Sequence, residues 1–124
     1  MTEIKRERTF FLSYGDAKMT LDSPMLGESR SAVGSDLYLC FQRLRSKLEV
    51  DDVFPLCYGA RVECWASDVS RDTGWGRSVY VLEMGKEAST SDLVDLFDPA
   101  SRDSVGSVAE QERFHREWEQ SLSS

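Results

Sequence analysis

The fold is decided by residues 35–48, which read Ser-Asp-Leu-Tyr-Leu-Cys-Phe-Gln-Arg-Leu-Arg-Ser-Lys-Leu. Four large apolar side chains of this stretch fall within about 60° of one another at about 100° per residue: Leu37, Phe41, Leu44 and Leu48. This spacing predicts an amphipathic helix with one buried face. Ser35 is expected to accept hydrogen bonds from its first turn, with Asp36 at the positive end of the helix dipole.

A β-hairpin is predicted before this helix. Residues 8–13 are rich in strand-forming side chains, and residues 17–22 alternate apolar and polar side chains with the period of a half-buried strand. Tyr14-Gly15-Asp16 supplies the turn between them. Residues 23–34 contain a proline, two glycines and several serines, and this composition predicts a loop that leads to the helix.

A second hairpin is predicted after the helix. Residues 59–67 alternate small or apolar side chains with polar ones, which indicates a strand. Residues 77–84 form the strongest β segment of the chain, because they place Val, Tyr, Val and Leu in succession. The intervening residues 68–76 are expected to form a long hairpin loop.

Two further helices are predicted in the last third of the chain. A short one covers residues 92–97 and ends before Pro99, since proline restricts the residue that precedes it. The last begins with Ser107-Val-Ala-Glu110, a capping box, and places six residues on one face: Val108, Gln111, Phe114, His115, Trp118 and Leu122. The sequence therefore predicts one α+β domain over residues 1–124, with helices packed on one face of an antiparallel sheet and with frayed ends at 1–7 and 119–124.

The charge balance restricts the class of partner. The chain has 15 Lys and Arg against 22 Asp and Glu, a net charge of −7, which opposes direct binding of nucleic acid or of anionic membranes. No apolar run reaches the roughly 18 residues of a membrane span, and residues 1–8 lack the apolar stretch of a secretion signal. We therefore expect a cytoplasmic protein with a basic protein partner. A homodimer that pairs an edge strand such as residues 77–84 is compatible with this expectation.

Residue types that carry catalysis or bind cofactors form no motif that we recognise. Cys40, Cys57 and Cys64 lack the Cys-x-x-Cys spacing of a thiolate zinc site, so we expect them to be reduced and mostly buried. His115 is the only histidine, which argues against a histidine-rich metal site and favours a role at a helix interface. We predict no metal and no cofactor.

The tripeptide Asp72-Thr73-Gly74 resembles the motif of aspartic proteases, whose paired aspartates share a proton. In that family a hydrophobic strand precedes the tripeptide, whereas Ser70 and Arg71 precede it here. The tripeptide is therefore interpreted as turn chemistry within the hairpin loop.

Two surfaces are candidates for partner binding. The last 33 residues hold eight acidic and three basic side chains, and five of the acidic ones are our candidates there: Asp92, Asp95, Asp98, Glu110 and Glu117. The alternative is that these carboxylates only stabilise helix ends and solvate a face. The loop over residues 68–76 supplies four more candidates: Asp68, Arg71, Asp72 and Trp75. Trp and Arg are enriched at interface hot spots, although Trp75 could instead cover the core.

Three functional hypotheses follow from these observations. The first is an immunity or inhibitor protein that neutralises a basic toxin or nuclease by covering its active site, because an acidic surface competes for the field that attracts nucleic acid. The second is a nucleic-acid mimic, of the kind that phages use against defence enzymes. The third is a small enzyme that depends on a reactive cysteine.

Overall fold

The computed structural model describes residues 2–3, 8–12, 17–21, 30–68, 71–72 and 75–123. Two helices, α1 (Leu37–Glu49) and α2 (Val108–Leu122), hold most of the helical residues in these ranges. Eight short strands accompany them: β1 (Thr2–Glu3), β2 (Arg8–Leu12), β3 (Ala17–Leu21), β4 (Arg30–Gly34), β5 (Val53–Phe54), β6 (Cys64–Trp65), β7 (Ser78–Val81) and β8 (Leu93–Asp95). The predicted α+β class is confirmed. Over the described ranges, no helix is long and apolar enough to cross a membrane.

The first predicted hairpin is confirmed, and it gains a third strand. β2 and β3 pair antiparallel, and β4 pairs antiparallel with the other edge of β3. The loop predicted over residues 23–34 is therefore wrong for residues 30–34, whereas residues 23–29 and the turn at 14–16 lie outside the described residues. The small residues of this segment have little strand propensity of their own, so composition did not predict the strand. Pairing with β3 stabilises it, because Ala32 lies opposite Met19 and both side chains are buried.

The second hairpin forms a separate three-stranded antiparallel sheet in the order β6-β7-β8. The pairing of β6 with β7 confirms the prediction, but β6 is only two residues long because Tyr58–Ala60 forms a 3-10 turn. The short helix predicted over residues 92–97 is wrong: a 3-10 turn, Thr90–Asp92, leads directly into β8. Pairing with β7 offers this segment more hydrogen bonds than one isolated helical turn would.

The position of β7 also bears on the homodimer hypothesis. The sheet places β7 between β6 and β8, and residues 78–80 pair with β8 across their full length. β7 therefore has a paired strand on each side, β8 along residues 78–80 and β6 at residues 80–81. The edge strand proposed for dimerisation, residues 77–84, is not an edge.

α1 begins one residue later than its cap was predicted. Asp36, rather than Ser35, is the N-cap residue, and its carboxylate accepts a hydrogen bond from the Leu39 amide at 2.7 Å. The chain enters the helix through Gly34, where a Cβ atom would lie 2.7 Å from the Cys40 amide nitrogen. Glycine is therefore required at this position, because β4 turns sharply back against the first turn of α1.

One contiguous core joins α1 to the strands. It contains the four apolar residues that the sequence placed on one helix face, together with residues of β3, β4, β5, β6 and β7. The three cysteines are buried in it as free thiols, which confirms their predicted state. The helical face predicted for α1 is thus the main wall of the core.

A buried arginine crosses this core. Arg45 of α1 is only 1% exposed. Its guanidinium group donates to the backbone oxygens of Gly59 at 3.3 Å and Gly106 at 2.8 Å. It also donates to the side-chain oxygens of Gln42 at 2.5 Å and Gln111 at 2.8 Å. Within the described part of the chain, its hydrogen bonds are all to neutral acceptors, and burial lowers the pKa of Arg45.

α2 is attached to α1 at its first turn. The predicted capping box is present: the Ser107 hydroxyl accepts from the Glu110 amide, and the Glu110 carboxylate accepts from the Ser107 amide. The Glu49 carboxylate at the end of α1 accepts a further hydrogen bond from the Val108 amide at 2.8 Å. The free amides of a helix N-terminus are in this way satisfied by two carboxylates.

Arg45→Ala is expected to lower the free energy of unfolding by about 3 kcal/mol or more, because several buried acceptors lose their donor. The matched control is Arg43→Ala, which removes an exposed arginine from the same helix and should cost less than about 1 kcal/mol. Urea denaturation measures both values. Equal losses in the two variants would contradict the structural role assigned to Arg45.

Candidate functional site

A groove of about 450 Å³ lies between α2 and the sheet formed by β6, β7 and β8. Aromatic rings and carboxylates make up most of its lining, which comprises Trp65, Ala66, Ser67, Asp68, Tyr80, Leu82, Ala88, His115, Trp118 and Glu119. Its volume is in the range of about 300–1,000 Å³ that is typical of ligand sites.

Stacked rings form one wall of the groove. The imidazole of His115 lies parallel to the indole of Trp65, with 4.0 Å between ring centroids and 8° between planes. Trp118 continues the stack on the α2 side, 5.8 Å from His115 at 26°. Behind them, Tyr38 contacts Trp65 edge to face at 5.8 Å. Trp65 thus packs against α2, and the prediction that His115 lies at a helix interface is confirmed.

The elements that carry these rings explain the arrangement. His115 and Trp118 are three residues apart, so they lie on the same side of α2. Trp65 alternates with the buried Cys64 along β6 and therefore faces away from the core interior, toward α2. Tyr80 lies opposite Trp65 in the β6–β7 register and lines the groove beside it.

The C-terminal end of α2 is held against the turn that follows β7. The Trp118 indole N–H donates to the Lys86 backbone oxygen at 2.9 Å, and the Gly85 amide donates to the Ser121 hydroxyl oxygen at 2.8 Å. Trp118 is half-buried and does not belong to the core. The polar N–H of the indole needs a partner, and the backbone oxygen at the surface supplies one.

The groove has a neutral aromatic wall and a negative rim. Asp68 is exposed and has no salt bridge with any described residue, whereas Glu119 Oε1 lies 3.6 Å from His115 Nδ1. Burial lowers the pKa of His115 below its ordinary value of 6.5, and the nearby Glu119 only partly offsets this. At neutral pH the imidazole is therefore uncharged, and the carboxylates determine the sign of the local potential.

Two of the five acidic candidates have structural partners. Asp95 forms a salt bridge with Arg77 at 2.9 Å and accepts a hydrogen bond from the Phe97 amide at 2.8 Å. Glu110 completes the capping box, which lowers the pKa of its carboxyl group. Asp98 and Glu117 are exposed, and Asp92 is half-buried at the end of a 3-10 turn. Asp98 and Glu117 are therefore the candidates that remain available to a partner.

The structure separates the four candidates in residues 68–76. Asp68, Arg71 and Asp72 have helical backbone, so this connection is not an irregular loop throughout, and Thr73 and Gly74 lie outside the described residues. Arg71 donates from Nε to Asp36 at 2.7 Å and lies over the Tyr38 ring at 5.8 Å. Of this set, Asp68 alone lines the groove.

Trp75 lies on a tight turn at the surface. It is 43% exposed and has a φ of 60°, while the adjacent Gly76 has a φ of 69°. The turn is fixed to α1, because the Trp75 oxygen accepts from the Leu37 amide at 2.8 Å and a Cβ on Gly76 would lie 2.8 Å from that of Tyr38. Trp75 is thus exposed rather than folded over the core as a lid.

The surroundings of Cys40 and Cys64 oppose thiolate formation. Burial raises the pKa of Cys64 to about 12, and it also raises the pKa of Cys40. The Cys40 thiol donates to the Ala32 oxygen at 3.1 Å. Among the described residues, no group of three or more His, Cys, Asp or Glu side chains is placed to hold a metal ion.

Comparison with known proteins gives no guide to function. The chain matches no model of a known protein family and no curated protein.

The groove was not predicted from the sequence, although two sequence patterns placed its aromatic residues on defined faces. The helical face of α2 included His115 and Trp118, and the alternation of residues 59–67 put Trp65 on the side opposite Cys64 and Ala66. The two patterns could have been joined only by knowing that α2 packs against β6.

The stack should make stability depend on pH. Because the folded state lowers the pKa of His115, the unfolded chain binds a proton first, and the free energy of unfolding should fall as pH drops below about 6.5. His115→Phe keeps an aromatic ring in the stack and should remove this component. The Glu110 component, which is lost only below about pH 4.5, should remain. Urea denaturation across this pH range tests the prediction, and identical pH profiles for the two proteins would contradict it.

Proposed function

We propose that this protein is a non-catalytic binding module for a basic protein. The observation that carries the proposal is the exposed negative surface of α2 and of the segment that leads to it. Four glutamates of α2 are exposed: Glu110, Glu112, Glu117 and Glu119. Glu112 and Glu117 form no salt bridge with any residue that the structure describes, and α2 keeps a net charge of −2 after its two arginines, Arg113 and Arg116, are counted.

The preceding segment adds to this surface. Asp98 and Asp103 are exposed, and isolated bridges join Cys57 to Pro99 and Arg61 to Val105. These bridges place residues 98–105 along the same part of the fold as the start of α2. A surface with several unneutralised carboxylates raises the association rate with a basic partner and disfavours acidic ones.

An immunity or inhibitor protein is the specific form of this function that we favour. Toxins and nucleases that act on nucleic acid are basic at their active sites because their substrate is anionic. An acidic module of 124 residues can cover such a site and compete for the same electrostatic field. The burial of all three thiols, which are 0% exposed, together with the raised pKa values of Cys40 and Cys64, argues against the alternative of a cysteine-dependent enzyme.

The test is co-expression with each basic toxin or nuclease domain encoded beside this gene. Protection of the cells, together with a complex whose affinity falls as salt is raised, would support the proposal. Protection that requires no physical complex, or a complex insensitive to salt, would contradict it.

Charge reversal on α2 should weaken such a complex. Glu112→Lys/Glu117→Lys is expected to slow association roughly tenfold, because it removes long-range attraction without touching the core. Asp51→Lys/Glu83→Lys is the control: it also replaces two exposed acidic residues and also changes the net charge from −7 to −3. The salt bridges that it breaks, to Arg30 and Lys86, lie at the surface and contribute little to stability. Stopped-flow association with the partner measures both. Equal slowing by the two pairs would show that net charge matters and that α2 is not the contact surface.

A further inference from the structure

We infer that the groove beside α2 binds a guanidinium group, namely an arginine side chain of the basic partner. The inference rests on the proposed function and identifies the residue type that this site would recognise. Three features support it: the stacked rings, the carboxylates at the rim, and a nearby arginine that is bound by an aromatic ring and a carboxylate.

The stacked rings suit a flat cation. A guanidinium group is planar and more weakly hydrated than an ammonium group, so it can lie against an aromatic face at a small desolvation cost. Trp65 and His115 already cover one face of each other at 4.0 Å, so a guanidinium group would lie on an outer face of the set formed with Trp118, or against Tyr80, which lines the groove beside it. His115 is neutral at neutral pH and does not repel a cation.

The rim supplies charge complementarity. Asp68 and Glu119 come from different elements, the helical turn after β6 and the last part of α2, and both line the groove. Asp68 has no hydrogen bond or salt bridge to a described side chain, and the partner found for Glu119 is the neutral His115 at 3.6 Å. A guanidinium group has five N–H donors in a fork that matches carboxylates, so one group could bind both.

An aromatic ring and a carboxylate already bind one of the protein's own arginines next to the groove. Arg71 places its guanidinium over the ring of Tyr38 at 5.8 Å while its Nε donates to Asp36 at 2.7 Å. Tyr38 in turn contacts Trp65, so this internal site adjoins the groove. The groove repeats that chemistry, an aromatic face with a carboxylate beside it, but with the carboxylates left open to solvent. Because Arg71 is engaged with Asp36, it does not neutralise Asp68.

The test uses the three indole N–H signals of the protein in a two-dimensional NMR spectrum. Titration with a triarginine peptide should shift the signals of Trp65 and Trp118, while Trp75, which lies outside the groove, should stay in place. Trilysine should bind more weakly because ammonium groups stack less well, and tricitrulline, which has the same shape without the charge, should not bind. Shifts spread over all three indoles, or an equal response to tricitrulline, would overturn the inference.

A charge-only variant completes the test. Asp68→Asn should weaken triarginine binding roughly two- to fivefold, as expected for a solvent-exposed charge pair. Asp72→Asn is the matched control, because Asp72 is also an exposed aspartate, is four positions away in the sequence and does not line the groove. Equal affinity of Asp68→Asn and the unchanged protein would overturn the assignment of this carboxylate to the site.

The two proposals can fail separately. A salt-sensitive complex with a basic toxin or nuclease, in which triarginine leaves Trp65 and Trp118 unshifted, would overturn the guanidinium site and leave the proposed function intact. Shifts at Trp65 and Trp118 without any basic protein partner would support the guanidinium site and overturn the proposed function.

Discussion

The buried guanidinium of Arg45 fixes the relation between the two helices, and the rest of the structure depends on that relation. It is held by backbone oxygens from two separate segments and by two glutamine side chains, one from each helix. Gln111 also attaches α2 to the segment that precedes β6, because its amide nitrogen donates to the backbone oxygens of Gly59 and Arg61 at 2.9 Å each. A buried charge with neutral acceptors is costly to form, so alternative placements of α2 that leave these groups unpaired are disfavoured.

The groove is a consequence of this constraint. Gln111 lies one helical turn before His115, so the position of α2 on the core also sets the distance between His115 and Trp65. The other end of α2 is held by the Trp118 and Ser121 hydrogen bonds to residues 85–86. With both ends fixed, the aromatic wall is preorganised, and little side-chain entropy remains to be lost when a ligand binds.

Elements whose stability is local were predictable from the sequence. α1 has an apolar face with helical spacing, α2 begins with a capping box, and residues 8–12 and 17–21 are strands with period-two alternation or strong strand propensity. Strands that are stabilised mainly by pairing with a neighbouring strand were not predicted from the sequence. β4 and β8 consist of segments whose composition indicated a loop and a helix, and each is a strand because it completes a sheet edge.

The sequence by itself determined the α+β class, the two helices, the buried face of α1, the excess of negative charge and the burial of the thiols. These properties follow from composition and from periodicity over a few turns. The tertiary structure alone decided that Asp95 is engaged, since its partner Arg77 is 18 positions away and comes close only when β7 pairs with β8. It also brought Asp68, Trp65 and His115 to one groove, because packing between a helix and a sheet joins residues that are up to 50 positions apart. Such contacts leave no periodic pattern in the sequence. The periodicity of a helix or strand indicates which of its faces is buried, but not which element covers that face.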